Sequence, residues 1–163
     1  MNVGVDRMMW VSQHRRELEV LIRPNQVSLI AGDRSDARKL LDTLGEVFGS
    51  EPRSLTAAGL TLEPVTLTGA LADQLDGSYL LYDLECLCWQ PWLNADPLRF
   101  LRILARRHGV IALWPGPVSN SVASFSAPGR RDHISVSAAG VTVLRPVATR
   151  FPDEVPFTLE RIP

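Results

Sequence analysis

Three short apolar runs set the limits on how this chain folds: "QVSLIAG" (Gln26–Gly32), "SYLLYDLE" (Ser78–Glu85) and "GVIALWPG" (Gly109–Gly116). Each is continuously apolar rather than alternating, the pattern of a strand buried on both faces. Helical patterns separate them. After the first run, Leu40, Leu41, Leu44 and Phe48 recur at helical spacing, with Ser35 or Asp36 placed to cap. Before the third lies "DPLRFLRILARR" (Asp96–Arg107), where Asp96 caps, Pro97 takes the first helical position, and Arg106 and Arg107 fall at the negative end of the helix dipole. Buried strands alternating with helices predict an α/β fold: a three-layer parallel sheet covered by helices on both faces.

The remaining stretches fill in a single domain over residues 1–163 with its core at about 26–137, a length that suits one hydrophobic core. Asp6–Ile22 reads as a helix with Met9, Leu18, Leu21 and Ile22 as apolar contacts, stopped by Pro24. "LTLEPVTL" (Leu60–Leu67) reads as an edge strand interrupted by Pro64, followed by a short helix over Gly69–Leu75. "VASFS" is a candidate fourth strand within a serine-rich stretch, Ser119–Ser126, whose default is a flexible loop. "HISVSAAGVTVLRP" alternates about a turn at Ala138–Gly140 and predicts a C-terminal β-hairpin; the proline-bearing end reads as a tail.

Parallel sheets bind ligands at the carboxyl ends of their strands. Gly32, Asp83, Glu85 and Trp114 are therefore expected along one edge. The first strand, its glycine and the following helix have the outline of a phosphate loop, in which backbone N–H groups and a helix N-terminus surround an anion. The pattern G-x-x-x-x-G-K-[ST], laid on from Gly32, puts Ala37 at the second glycine, Arg38 at the lysine and Lys39 at the metal-binding hydroxyl. A loop longer by one residue makes Lys39 the phosphate lysine, and Leu40 then replaces the hydroxyl. Asp33 and Asp36 bring negative charge into the cradle and can occupy the helix's positive end themselves. Gly32, Arg38 and Lys39 are the candidate nucleotide-binding residues. Lys39 is also the only lysine beside 16 arginines. Asp83 ends a buried strand as a magnesium-holding aspartate does. Glu85, two residues on, shares its face in an extended chain and is the candidate catalytic residue that would orient water.

From Asp83 onward the pattern becomes distinctive. "YDLECLCWQPWLNADPLRFLRILARRHGVIALWPG" and "SFSAPGRRDH" resemble the BrxF family of small P-loop proteins of type 3 BREX phage-defence systems. The resemblance runs from about Val27 to about His133. It rests on Asp83 with an acid near it, Asp96–Leu98, Trp114–Gly116 and, loosely, Ala127–Asp132. It implies a fold of the P-loop NTPase type, and as partners other proteins of the defence system, including its large ATPase. It also implies ATP and Mg²⁺ as ligands where the phosphate loop is intact; here the substituted loop predicts weak or absent binding and hydrolysis, with no cofactor expected. Trp114 stands where such folds often carry a polar sensor of the terminal phosphate.

Other features carry less. Arg99, Arg102 and Arg106 are spaced to line one helix face and are candidates for contact with DNA or an acidic partner, against the simpler reading of a solvated face. Trp89 and Trp92 flank Pro91 in a loop, either as a partner contact or closing a core edge. A formal net charge of −1 gives no global field toward nucleic acid or anionic lipid. No apolar stretch reaches membrane-spanning length and the first residues lack the pattern of a signal peptide, so the cytoplasm is the expected location. Cys86 and Cys88, roughly 6.6 Å apart in an extended segment, are expected to be reduced. They do not combine with His14, His108 or His133 at a metal-binding spacing.

Overall fold

The computed structural model describes residues 13–55, 80–85, 96–126, 129–130, 133–147 and 156–163. Residues 13–21 are helical (α1) and lead into β1 (Val27–Ile30) and α2 (Arg34–Phe48). Then come β2 (Arg53–Ser54), β3 (Leu80–Tyr82), α3 (Pro97–Leu104) and β4 (Val110–Leu113). The chain continues through β5 (Val118–Ser119), β6 (Val122–Phe125), β7 (Ile134–Ser137), β8 (Thr142–Pro146) and β9 (Phe157–Arg161).

The main sheet has six strands in the order β2-β3-β4-β1-β8-β9. The first five are parallel and β9 runs antiparallel to β8. A separate antiparallel sheet holds β5-β6-β7. β1 is central, pairing Leu29 with Ala112 on one side and Val143 on the other.

Two cores lie on opposite faces. Leu29, Leu81, Ala112 and Val143 pack with Leu98, Leu101 and Leu104 of α3. Ile30, Leu80, Ile111 and Leu144 pack with Leu18 and Leu21 of α1 and with Ala37, Leu40, Leu41 and Leu44 of α2. Neighbouring strand residues alternate between the faces, as the pleat requires, and both faces are apolar. That is why the sequence shows unbroken runs. Each fully buried leucine contributes about 1.5–3 kcal/mol of transfer free energy. Ser28 is the exception in β1: fully buried, with its hydroxyl unpartnered.

The predicted α/β class and mostly parallel sheet are present. The predicted C-terminal hairpin is not. The strands on either side of the Ala138–Gly140 turn belong to different sheets: β7 pairs with β6, and β8 joins the main sheet beside β1. Alternation reports that a strand has two unlike faces, not which sheet it enters. The expected tail supplies β9, whose Phe157 is buried against the α1–α2 core. The serine-rich stretch is β5 and β6 joined at Asn120 and Ser121, both at positive φ (50° and 60°), a conformation that matches the twist of a tight hairpin. α3 stops at Leu104, short of Arg107, and the backbone N–H of Asn25 takes the Ala105 carbonyl at 2.6 Å. The expected strand over Leu60–Leu67, the helix over Gly69–Leu75, Met9, both cysteines, Trp89 and Trp92 lie outside the described residues.

Candidate functional site

At the carboxyl ends of β1, β3 and β4 is an open cleft of about 530 Å³, within the range of small-molecule pockets. Asp33, Arg34, Ser35 and Arg38 line it from the β1–α2 turn, Tyr82, Asp83 and Glu85 from the end of β3, and Leu113 from β4.

Gly32 opens the turn at φ 144°, a region that L side chains rarely adopt. Asp33 follows as the N-cap of α2; of the three residues placed to occupy the helix's positive end (Asp33, Ser35 and Asp36), it is the one that does so. Its Oδ1 accepts from the backbone N–H of Ser35 at 3.0 Å and of Asp36 at 3.2 Å. A cap of this kind contributes about 1 kcal/mol and places a negative charge at the positive end of the helix. Two of the amides that a bound phosphate would draw on, those of Ser35 and Asp36, therefore already have a partner.

Arg38, one turn on, is half-buried. Its guanidinium lies 4.0 Å over the Tyr82 ring, and its Nε donates to Asp42 Oδ1 at 3.2 Å. Burial would lower its pKa, but the hydrogen bond it donates to Tyr82 and the charge of Asp42 outweigh that and hold it above its ordinary value. Lys39 projects elsewhere. Ala37, two positions before it, faces the core, and Lys39 is exposed and does not line the cleft.

β3 ends at Tyr82, and Asp83 takes φ 61°, so the chain turns where extension was expected. Asp83 and Glu85 still meet in the cleft, brought there by that turn rather than by strand alternation. Ser54 Oγ, from the neighbouring β2, donates to Asp83 Oδ2. Glu85 Oε1 lies 3.6 Å from Arg34 Nη2, an ion pair spanning the cleft from β3 to α2. Trp114 is buried and turns away, donating its indole N–H to the Ser124 carbonyl at 3.0 Å and so anchoring the small sheet.

The structure thus brings together Arg38, Asp83 and Glu85 from the predicted set, with Gly32 at the base of the turn. It leaves out Lys39 and Trp114. Arg99, Arg102 and Arg106 do not line the cleft either; they lie on or beyond α3. Arg102 there donates to the Ala139 carbonyl at 3.0 Å and lies 4.0 Å from Asp96. Arg34, Tyr82 and Ser54 were missed as site residues. Tyr82 was signalled by its place beside Asp83, whereas Ser54 comes from a strand remote in sequence and carries no local signal.

The arrangement departs from a magnesium-triphosphate site at three points. A carboxylate occupies the helix N-terminus, the lysine lies off the cleft, and neither register of the loop offers a hydroxyl to the metal. Among the described residues, Asp83 belongs to no cluster of three or more His, Cys, Asp or Glu able to hold a metal ion. No described helix is long and apolar enough to cross a membrane. Compared with protein-family models, curated proteins and solved structures, the chain matches none.

Proposed function

We propose that this protein is a catalytically degenerate member of the P-loop NTPase type, and that it acts by protein–protein contact as an accessory subunit of a bacterial BREX-type phage-defence complex. The strand–turn–helix unit at Gly32 and the acidic end of β3 support the P-loop reading. So does the strand order, in which β4 separates β1 from β3 and reaches the cleft between them. The sequence resemblance between Val27 and His133 supports the defence role. The observation that carries the loss of nucleotide chemistry is the Asp33 carboxylate on the Ser35 and Asp36 amides. An anion cannot share those donors without displacing a like charge.

On this reading the cleft is a scaffold whose charges satisfy one another, and the complex forms without nucleotide. Calorimetry of the full chain with ATP and Mg²⁺ is expected to give no binding heat. Affinity capture against the other defence proteins, the large ATPase among them, is expected to give a stable complex with or without ATP. ATP binding that disappears in Lys39→Ala would instead support an active ATPase using Lys39, Asp83 and Glu85. Failure to capture any of the defence proteins would remove the accessory role.

A further inference from the structure

The opposite end of the sheet carries a different kind of surface. The segments that enter β1 and β4 are joined backbone to backbone: Asn25 N–H to the Ala105 carbonyl at 2.6 Å, Gly109 N–H to Ile22 at 2.9 Å, and Val110 N–H to Gln26 at 3.0 Å. The contact is so close that a Cβ on Gly109 would lie 2.0 Å from the Leu21 carbonyl oxygen. Side chains leaving this seam share one edge of the molecule.

Arg23, Arg106 and Arg107 leave it, and all three are exposed. Neither segment, 22–26 nor 102–110, contains an aspartate or glutamate. Arg23 and Arg106 enter none of the described ion pairs. Basic residues after a helix are favoured by its dipole. That accounts for Arg106 and Arg107 behind α3 and equally for Arg23 behind α1; the seam brings these two helix ends together at one edge.

We propose that this edge binds the phosphate backbone of duplex nucleic acid, without reading sequence. The guanidinium fork matches a phosphate's oxygens in a bidentate way. A protein partner would need aromatic or apolar anchors at the centre of its footprint. Val20 is the only large hydrophobic exposed beside the seam among the described residues. The near-neutral whole chain gives no global attraction, so binding depends on this local cluster. It involves a different arginine set from the helix face first read in the sequence. Arg102 of that face is held by the Ala139 carbonyl, and Arg106 lies past the helix end.

The test is fluorescence anisotropy of the full chain with a short labelled DNA duplex of arbitrary sequence, titrated between about 50 and 200 mM salt. The expected result is weak binding that falls with salt. The Arg23→Glu/Arg106→Glu pair should weaken it roughly tenfold or more and flatten the log–log salt slope by about 2. Arg15→Glu, on the outer face of α1, should leave it unchanged. If the glutamate pair lowers the thermal midpoint, Arg23→Gln/Arg106→Gln replaces it with the same expectation. No binding at the lowest salt, or binding that the paired variants retain, overturns the proposal. So does a polyglutamate chain bound more tightly than the duplex, which would mark the edge as a site for an acidic protein.

Discussion

The two ends of the main sheet handle charge in opposite ways. At the carboxyl end each charged group has an intramolecular partner: Asp33 holds helix amides, Glu85 faces Arg34, Arg38 lies between Tyr82 and Asp42, and Asp83 accepts from Ser54. At the amino end the backbone is sewn together by close contacts, and Arg23 and Arg106 are exposed and enter none of the described ion pairs. The cleft has the location of a ligand site but little unspent binding capacity. On the proposal above, the far edge has that capacity in Arg23 and Arg106. Position at the carboxyl ends of parallel strands is thus a prior for function, and the donors left over decide whether it applies.

This contrast can be broken or sharpened by substitution. The largest effect is expected at the amino end, where Gly109→Ala would force a methyl group against the Leu21 and Ile22 backbone. Urea unfolding should show a loss of about 3 kcal/mol or more. A loss under about 1 kcal/mol would mean that the seam yields easily and is no rigid base for the arginines. At the carboxyl end, Asp33→Ala should cost about 1 kcal/mol through the missing cap. The same variant frees the Ser35 and Asp36 amides and should gain at most weak ATP binding by calorimetry, because Lys39 remains outside the cleft. Arg34→Ala, which breaks only an exposed ion pair, should change stability by less than about 1 kcal/mol, with the effect shrinking further in high salt. Smallest of all, Ser28→Ala should be neutral or slightly stabilising in the same unfolding experiment, since it removes a buried hydroxyl that has no partner. A clear destabilisation there would show that the hydroxyl holds a bond, for instance to a buried water.

Much of the fold was legible in the sequence because its strongest signals are local. Unbroken apolar runs mark strands covered on both faces, and Asp96 with Pro97 marks the start of α3, where Asp96 Oδ1 does accept from the Leu98 N–H at 2.9 Å. What could not be read depends on distant pairing. The alternation on either side of Ala138–Gly140 suits a hairpin as well as it suits two sheets. Only packing against β1 draws β8 away from β7. β9 was hidden by prolines that proved to flank the strand (Pro156, Pro163) rather than interrupt it. In the cleft, the phosphate-loop pattern pointed to Gly32 and Arg38, which the structure places at the base of the turn and in the cleft wall. Which acid would cap the helix was a choice among neighbours of similar chemistry, and it turned on the backbone angle at Gly32. The convergence of Asp83 and Glu85 was anticipated, but on extended geometry that the positive φ of Asp83 replaces.

The place of β8 has a consequence for how the molecule is made. The strand at the middle of the sheet acquires one of its two neighbours only from residues 142–146, far downstream of it. During translation, β1 and the leucines of α2 keep one flank open until those residues have left the ribosome. Until then the nascent chain carries an exposed sheet edge, the condition under which chaperones are recruited and aggregation competes with folding.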